Sequence, residues 1–393
     1  MYTEADFPKL LRALTISEQT ILSPSNPSVT GGQRFHELDS LRGLAALVVV
    51  FHHFRYMWLY PEPQSLTLKN ALLYPLFAGR ESVVLFFLLS GFVLSIPYLR
   101  GRGQSYATFM TRRVLRIYCP YLFGLALAVA GNAVWHGSLG ISPWADPTWA
   151  TPVSWRPVLL HVFMVGDTLR FNTAFWSLFV EMRVSIVFPF LFLFIRKVPT
   201  AVAFLTAAAC WPVVEYTYRR GVPLAGTVEF VAIFIVGILM AMHLSRLGGW
   251  FRRLGVWQRL ALGLGSFVLF DLAHVLVALA QGNRQIPELF QVWEDWPIAA
   301  GAAGLMLVAL ESAPARRFLN STVPRFLGRI SYSLYLVHGT VLFAMTYLLV
   351  HKVSTPVAFL VFLPAALLLS TAFCFWIEEP FLRLGRRLGR SAA

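Results

Sequence analysis

Arg42 and His53 stand eleven positions apart, bracketing the apolar run Gly-Leu-Ala-Ala-Leu-Val-Val-Val-Phe-His. A neutral imidazole can take a proton from a hydroxyl as that hydroxyl attacks a carbonyl, which makes His53 a general-base candidate. Arginine offers paired donors to phosphate, which makes Arg42 an anchor for a phosphate-bearing substrate. On a helix, eleven steps of about 100° fall within about 20° of three whole turns, so both side chains share one face, about 16 Å apart along the axis. Asp39 falls near the same face and extends the stripe, whereas His52 points about 100° away and ranks below His53. Two plainer readings stay open: Arg42 as a side chain snorkelling at a helix start, and His53 as a satisfied polar residue near the outer end.

Such a stripe needs a membrane helix to carry it, and the composition supplies one. The 393 residues are 57% hydrophobic and only 13% charged, with a mean hydropathy of +0.63, which a soluble domain of this size would hardly tolerate. Ionisable side chains inside such spans are costly and usually face the bundle interior. The net charge of +14 would elsewhere suggest nucleic acid, but Lys and Arg cluster in short segments between apolar runs, as membrane topology requires. Nucleic acid is therefore not expected as a partner.

Crossing the hydrocarbon takes about 20 residues, and spans are predicted at 39–58, 80–99, 114–135, 176–196, 198–216, 227–244, 260–281, 296–311, 330–350 and 356–377. The fold class is all-α, a polytopic transmembrane bundle of about ten helices. Most of the 33 Lys and Arg residues fall on the segments that become cytosolic if both termini are inside, which favours that orientation. Residues 1–38 are polar, carry no cleavable secretory pattern, and read as a partly disordered cytosolic extension. Residues 39–381 form the transmembrane domain and 382–393 a basic cytosolic tail. The span at 296–311 is short and rich in Gly and Ala.

Further polar residues lie in or beside these spans. The basic run Arg112, Arg113 and Arg116 falls on the cytosolic side, where it could meet phosphates or simply satisfy topology. Glu181, in the fourth span, could orient an acceptor hydroxyl or pair with an arginine, and Arg183 is a candidate partner. Tyr332, Tyr335 and His338 recur at helical spacing and share a face that lines a cavity or packs. Ser90 and Gly91 suit close helix approach. The segment 136–175, with Trp144, Trp149, Trp155, Pro143, Pro147, Pro152 and Pro157, is too irregular for a span; it reads as an interfacial aromatic belt or a platform for sugar rings. Cys119, Cys210 and Cys374 have neither metal-ligand spacing nor a disulfide framework, and no metal is expected.

The stretch Leu-Asp-Ser-Leu-Arg-Gly-Leu-Ala-Ala-Leu-Val-Val-Val-Phe-His-His resembles the first helix of the acyltransferase 3 family of integral-membrane acyltransferases, whose hallmark is an Arg and a His separated by ten residues. Val-Leu-Phe-Phe-Leu-Leu-Ser-Gly-Phe-Val-Leu at 84–94 is similar to the second-helix signature, and Arg-Arg-Val-Leu-Arg-Ile-Tyr at 112–118 to the basic run after it. Phe-Trp-Ser-Leu-Phe-Val-Glu at 175–181 resembles the Trp-Ser-Leu and Glu block, and the stretches 329–338 and 378–381 the closing blocks. The likeness covers about 39–390. Two departures are Met182 to Ser185 after the Glu, where the family usually continues Gln-Phe-Tyr, and Cys119 before Pro120.

The resemblance implies a ten-helix bundle that takes an acyl group, commonly acetyl, from cytosolic acyl-CoA and delivers it to a hydroxyl of a glycan or lipid-linked acceptor at the outer side of a bacterial inner membrane. His53 would be the catalytic histidine, and Arg42 with Arg112, Arg113 and Arg116 would engage the donor. Asp39 and Glu181 are expected to join the catalytic group, and Trp176, Ser177, Tyr332, Tyr335 and His338 to contact substrate. A transporter or flippase, with Asp39, Arg42, Glu181 and Arg183 as a relay, is the competing class. Transporters often show halves with matching broken helices, and no such repeat is found.

Overall fold

The helices follow the apolar runs, and proline and glycine decide where they widen and where they meet. The computed structural model describes residues 35–59, 73–165, 169–220, 225–271 and 288–391; residues 1–34 of the expected extension 1–38 and the end of the expected span 260–281 lie outside them. His36–Trp58 forms α1, and Gly79–Leu99 forms α2 after a short 3-10 turn. Tyr106–Arg113 (α3) runs through a π-helical turn, Val114–Tyr118, into Cys119–Val134 (α4). There follow Trp155–Val162 (α5), Phe175–Lys197 (α6), Thr200–Arg219 (α7), Ala225–Met242 (α8), Leu244–Arg253 (α9), Val256–Asp271 (α10), Glu288–Glu311 (α11) and Ala313–Leu319 (α12). Thr322–Leu349 is α13, and Thr355–Phe373 (α14) passes through a second π-helical turn, Cys374–Glu378, into Glu379–Ser391 (α15).

Each of the ten expected spans contains a helix among the described residues, with breaks at its ends such as Val198–Pro199 and at His243, and the described residues contain no strand. Five helices are long and apolar enough to cross a membrane, or up to seven if two bent pairs each count as one span. These several apolar helices fit a multi-pass membrane protein. Helix α1 is not among them; Arg42, His52, His53 and Arg55 interrupt its apolar surface.

Three boundaries differ from expectation. The basic run does not precede a span as a loop but lies within the continuous helix Tyr106–Val134. Helix α13 begins at Thr322 rather than 330, and α11 at Glu288 rather than 296. Both π-helical turns stand just before a proline. Pro120 has no N–H for the Arg116 carbonyl, and Pro380 none for that of Trp376. The N–H groups of Cys119 and Glu379 reach back instead to Val114 and Cys374, which widens the turn.

Helices gain little from hydrophobicity against lipid tails, so close packing and hydrogen bonds must hold them. At Gly43 a Cβ would overlap the backbone of Leu327 and Gly328, and at Gly328 it would overlap that of Asp39 and Ser40. This crossing sets α1 and α13 side by side in parallel register. Gly91 of α2 and Gly237 of α8 make a second backbone-to-backbone contact, each against the other helix, so the close approach expected at Gly91 is present. On α1, Ala46, Val50, Phe54 and Met57 follow a helical stripe into one buried apolar group with Trp149, Leu334, Phe343 and Phe362. Val49 joins another with Tyr121, Phe175, Phe179 and Leu336.

Candidate functional site

The α1–α13 register carries a consequence ten residues beyond the glycine crossing. There His53 meets His338: the two imidazoles lie within 6° of coplanar with centres 5.0 Å apart, and His53 Nδ1 is 2.7 Å from His338 Nε2. Parallel rings stacked at van der Waals contact cannot bring two ring atoms so close, so the pair is joined edge to edge by an in-plane hydrogen bond. His338 is fully buried, and its Nδ1 lies 2.9 Å from the Leu334 carbonyl. One face of His53 is covered by Trp144, whose ring centre is 5.2 Å away. The neighbouring His52 turns elsewhere: its Nδ1 donates to the Phe77 carbonyl at 2.7 Å, fastening the entry to α2.

Toward the start of α1 the polar groups form a second cluster. Arg42 is partly buried and sits in the field of Arg116, Glu181, Asp39 and Arg113. Glu181 on α6 accepts from Arg113 Nη2 at 2.8 Å and from the Ser90 hydroxyl at 3.3 Å. Arg113, itself buried, also donates from Nε to the Ser185 hydroxyl at 3.0 Å. Arg42 and the exposed Arg116 form no hydrogen bond or ion pair of their own among the described residues. Two guanidiniums held beside each other without carboxylate partners suit a phosphate.

Between the two clusters runs one face of α13. Tyr332 donates to the Ile117 carbonyl at 2.7 Å, tying α13 to the π-helical turn of the basic run. Tyr335, one turn on, shares a 2.6 Å hydrogen bond with Ser177, lies in the field of Glu181, and has its ring centre 5.9 Å from that of His338. The face that carries Tyr332 and Tyr335 thus ends at His338, which meets His53.

Of the residues singled out from sequence, the structure brings together Asp39, Arg42, Arg113, Arg116, Glu181 and Tyr332 at one level, and His53, His338 and Tyr335 with Ser177 at another. Arg112 is not brought in; its Nη1 donates to Gln104 at 2.6 Å. Trp176 packs on Phe230 with ring centres 5.6 Å apart. The expected pairing of Arg183 with Glu181 is not found. Two residues on a helix are about 200° apart, and Arg183 donates instead to the Met164 carbonyl at 2.9 Å and to Thr227 at 3.4 Å. The Leu334 carbonyl was missed as a site group, and Trp144, expected only in an aromatic belt or sugar platform, was not foreseen beside His53. A tryptophan in an irregular loop and a backbone oxygen carry no spacing that points to His53.

At the mouth of α1, Glu37 accepts from Arg316 at 3.2 Å and Asn320 at 2.9 Å. Burial alone would raise its carboxyl, but the backbone N–H, Asn320 and Arg316 outweigh that and hold it below the ordinary value.

The chain is similar over 343 residues, at 29% identity, to "Acyltransferase MdmB" of Streptomyces mycarofaciens, covering 79% of each protein. It is 29% identical over 373 residues to "O-acetyltransferase PaAT-1" of Phomopsis amygdali, covering 78% of this chain and 71% of that one. "Nodulation protein 10" of Rhizobium leguminosarum bv. viciae is 27% identical over 346 residues, covering 82% and 86%. No solved structure gives a significant match. The acyltransferase-domain model of the acyltransferase 3 family matches residues 35–379, which contain both polar clusters: the chain belongs to this family, and it is an enzyme that transfers acyl groups.

Proposed function

We propose that the protein is an integral-membrane O-acyltransferase that moves an acyl group, most simply acetyl, from cytosolic acyl-CoA to a hydroxyl of a glycan or lipid-linked saccharide. The observation that carries this reading is the alignment of two clusters along α1 and α13: two unpartnered guanidiniums at one level, and an imidazole with a bare ring nitrogen about 16 Å further on. In this reading Arg42 and Arg116 hold the phosphates of the donor. His53 takes the proton from the acceptor hydroxyl as its oxygen bonds to the thioester carbonyl carbon. The carbon–sulfur bond breaks, and the proton passes from His53 to the departing thiolate. Arg113 and Asp39 hold the charge balance around Glu181 and Arg42.

The ten-helix topology with both termini in the cytosol belongs to the same proposal; it puts the arginine cluster on the side where coenzyme A is found. A helix lies in each of the ten expected spans among the described residues, which supports it. The O-acetyltransferase name of one relative supports the hydroxyl acceptor. A bacterial inner membrane fits this arrangement of donor and acceptor. A transport relay through Asp39, Arg42, Glu181 and Arg183 draws no support, because Arg183 bonds away from Glu181.

Mass spectrometry of surface glycans and lipids tests the reading, comparing cells with the wild-type protein, cells without it, and cells with His53→Ala at equal expression. One acyl-bearing species should disappear in the last two. Wild-type acylation with His53→Ala removes His53 from the reaction, and identical profiles with and without the protein remove the acceptor class.

A further inference from the structure

We propose that His338 is the positioning residue that fixes which nitrogen of His53 acts as the base. The inference rests on the acyl-transfer reading above and deepens it. A carbonyl oxygen only accepts, so the 2.9 Å contact with Leu334 requires a proton on His338 Nδ1. A neutral His338 then has no proton on Nε2, and Nε2 can only accept. His53 Nδ1, 2.7 Å away, must therefore be the N–H donor. The remaining nitrogen of His53, Nε2, is left with its lone pair exposed and no hydrogen-bond partner among the described residues. The chain of assignment starts at a backbone carbonyl oxygen, which only accepts, and each donor along it follows from the one before.

The arrangement does what the aspartate does in a Ser-His-Asp triad, where the third group holds the imidazole in one tautomer and orientation. A carboxylate in this place would be an unpaired buried charge, expensive among apolar helices. A neutral imidazole, pinned through its far nitrogen to the backbone of its own helix, accepts the same hydrogen bond at no such cost. When His53 gains the acceptor's proton, the Nδ1–H to Nε2 bond becomes charge-assisted and strengthens. The interaction is thus stronger in the charged state that forms during the reaction than in the resting one, which is the requirement for lowering a barrier.

The glycine crossing supplies the precision this needs. Gly43 and Gly328 lock α1 against α13, and His53 and His338 each lie ten residues further on. Trp144 over the face of His53 restrains ring rotation from the remaining side.

Two variants and one spectrum test the inference. His338→Leu keeps bulk but accepts no hydrogen bond, and kcat should fall about 100-fold while the donor KM stays within about threefold. His338→Gln can present its amide oxygen to His53 Nδ1–H and should recover at least tenfold over His338→Leu. In 15N-histidine-labelled wild-type protein in lipid, with His53 assigned by difference against His53→Gln, the nitrogen shifts should report a proton on Nδ1 and none on Nε2. A His338→Leu enzyme within threefold of wild type, or a folded His338→Gln no better than it, overturns the proposal. So does a His53 found protonated on Nε2 in the wild-type spectrum, which decides the matter if neither variant folds. If His53→Ala is inactive while His338→Leu is active, only the positioning role fails; if His53→Ala is itself active, the acyl-transfer reading fails.

Discussion

Arg113 on α3 donates to Glu181 on α6 across 2.8 Å, and this ion pair, buried on the arginine side and partly buried on the other, ties the helix of the basic run to α6. Removing either partner strands the other charge, which costs about 3 kcal/mol. We expect Glu181→Ala and Arg113→Ala each to lower the thermal midpoint in detergent markedly, and the double variant to lose less than the two singles together. Additive losses would mean that the pair is not coupled.

Arg42 has no carboxylate in direct contact, so its loss should cost little stability and much donor affinity. Arg42→Ala is expected to raise the donor KM about tenfold, the loss of one charge-assisted hydrogen bond. Arg42→Lys should recover only part, because a point charge cannot replace the planar fork. An unchanged KM in steady-state assays would take Arg42 out of donor binding.

Trp144 touches His53 by one ring face, a contact of about 0.5–1.5 kcal/mol. Trp144→Ala should slow acyl transfer about three- to tenfold, and Trp144→Phe should restore most of the rate. Rates equal to wild type in both would leave Trp144 as a packing residue alone.

Gly43→Val would push α1 away from Leu327 and Gly328 and so separate His53 from His338. Both the thermal midpoint and kcat should fall, with kcat falling further than in a variant that matches the loss of stability at Gly91, on the α2–α8 contact. Proportional losses at the two glycines would argue against a special role for the α1–α13 register.

Glu37 gives the fold an acid-sensitive contact. A carboxyl held low in the folded state stabilises the protein above its unfolded value, about 4.3, and that contribution is lost as the pH falls through the lower folded value. Glu37→Gln should therefore melt below wild type at pH 7, and the difference should shrink as the pH is lowered toward 3. A constant gap across that range would show that the carboxylate charge is not what Arg316 and Asn320 hold.

Periodicity and apolar run length determined the elements: each expected span holds a helix among the described residues, and the eleven-residue spacing alone put Arg42 and His53 on one face of α1. Those are local properties, since a helix fixes the angles between its own side chains. What the sequence could not decide was which helix faces which. His338 lies 285 residues from His53 and became its partner only because two glycines let α1 and α13 touch at the right register. Arg183 follows Glu181 closely in the chain, yet the partner is Arg113, because a two-residue step on a helix turns a side chain to the opposite side. The tautomer of His53 lies one step further from the sequence still. It is dictated by the Leu334 carbonyl, an atom that every residue carries and that only the packed structure puts in place.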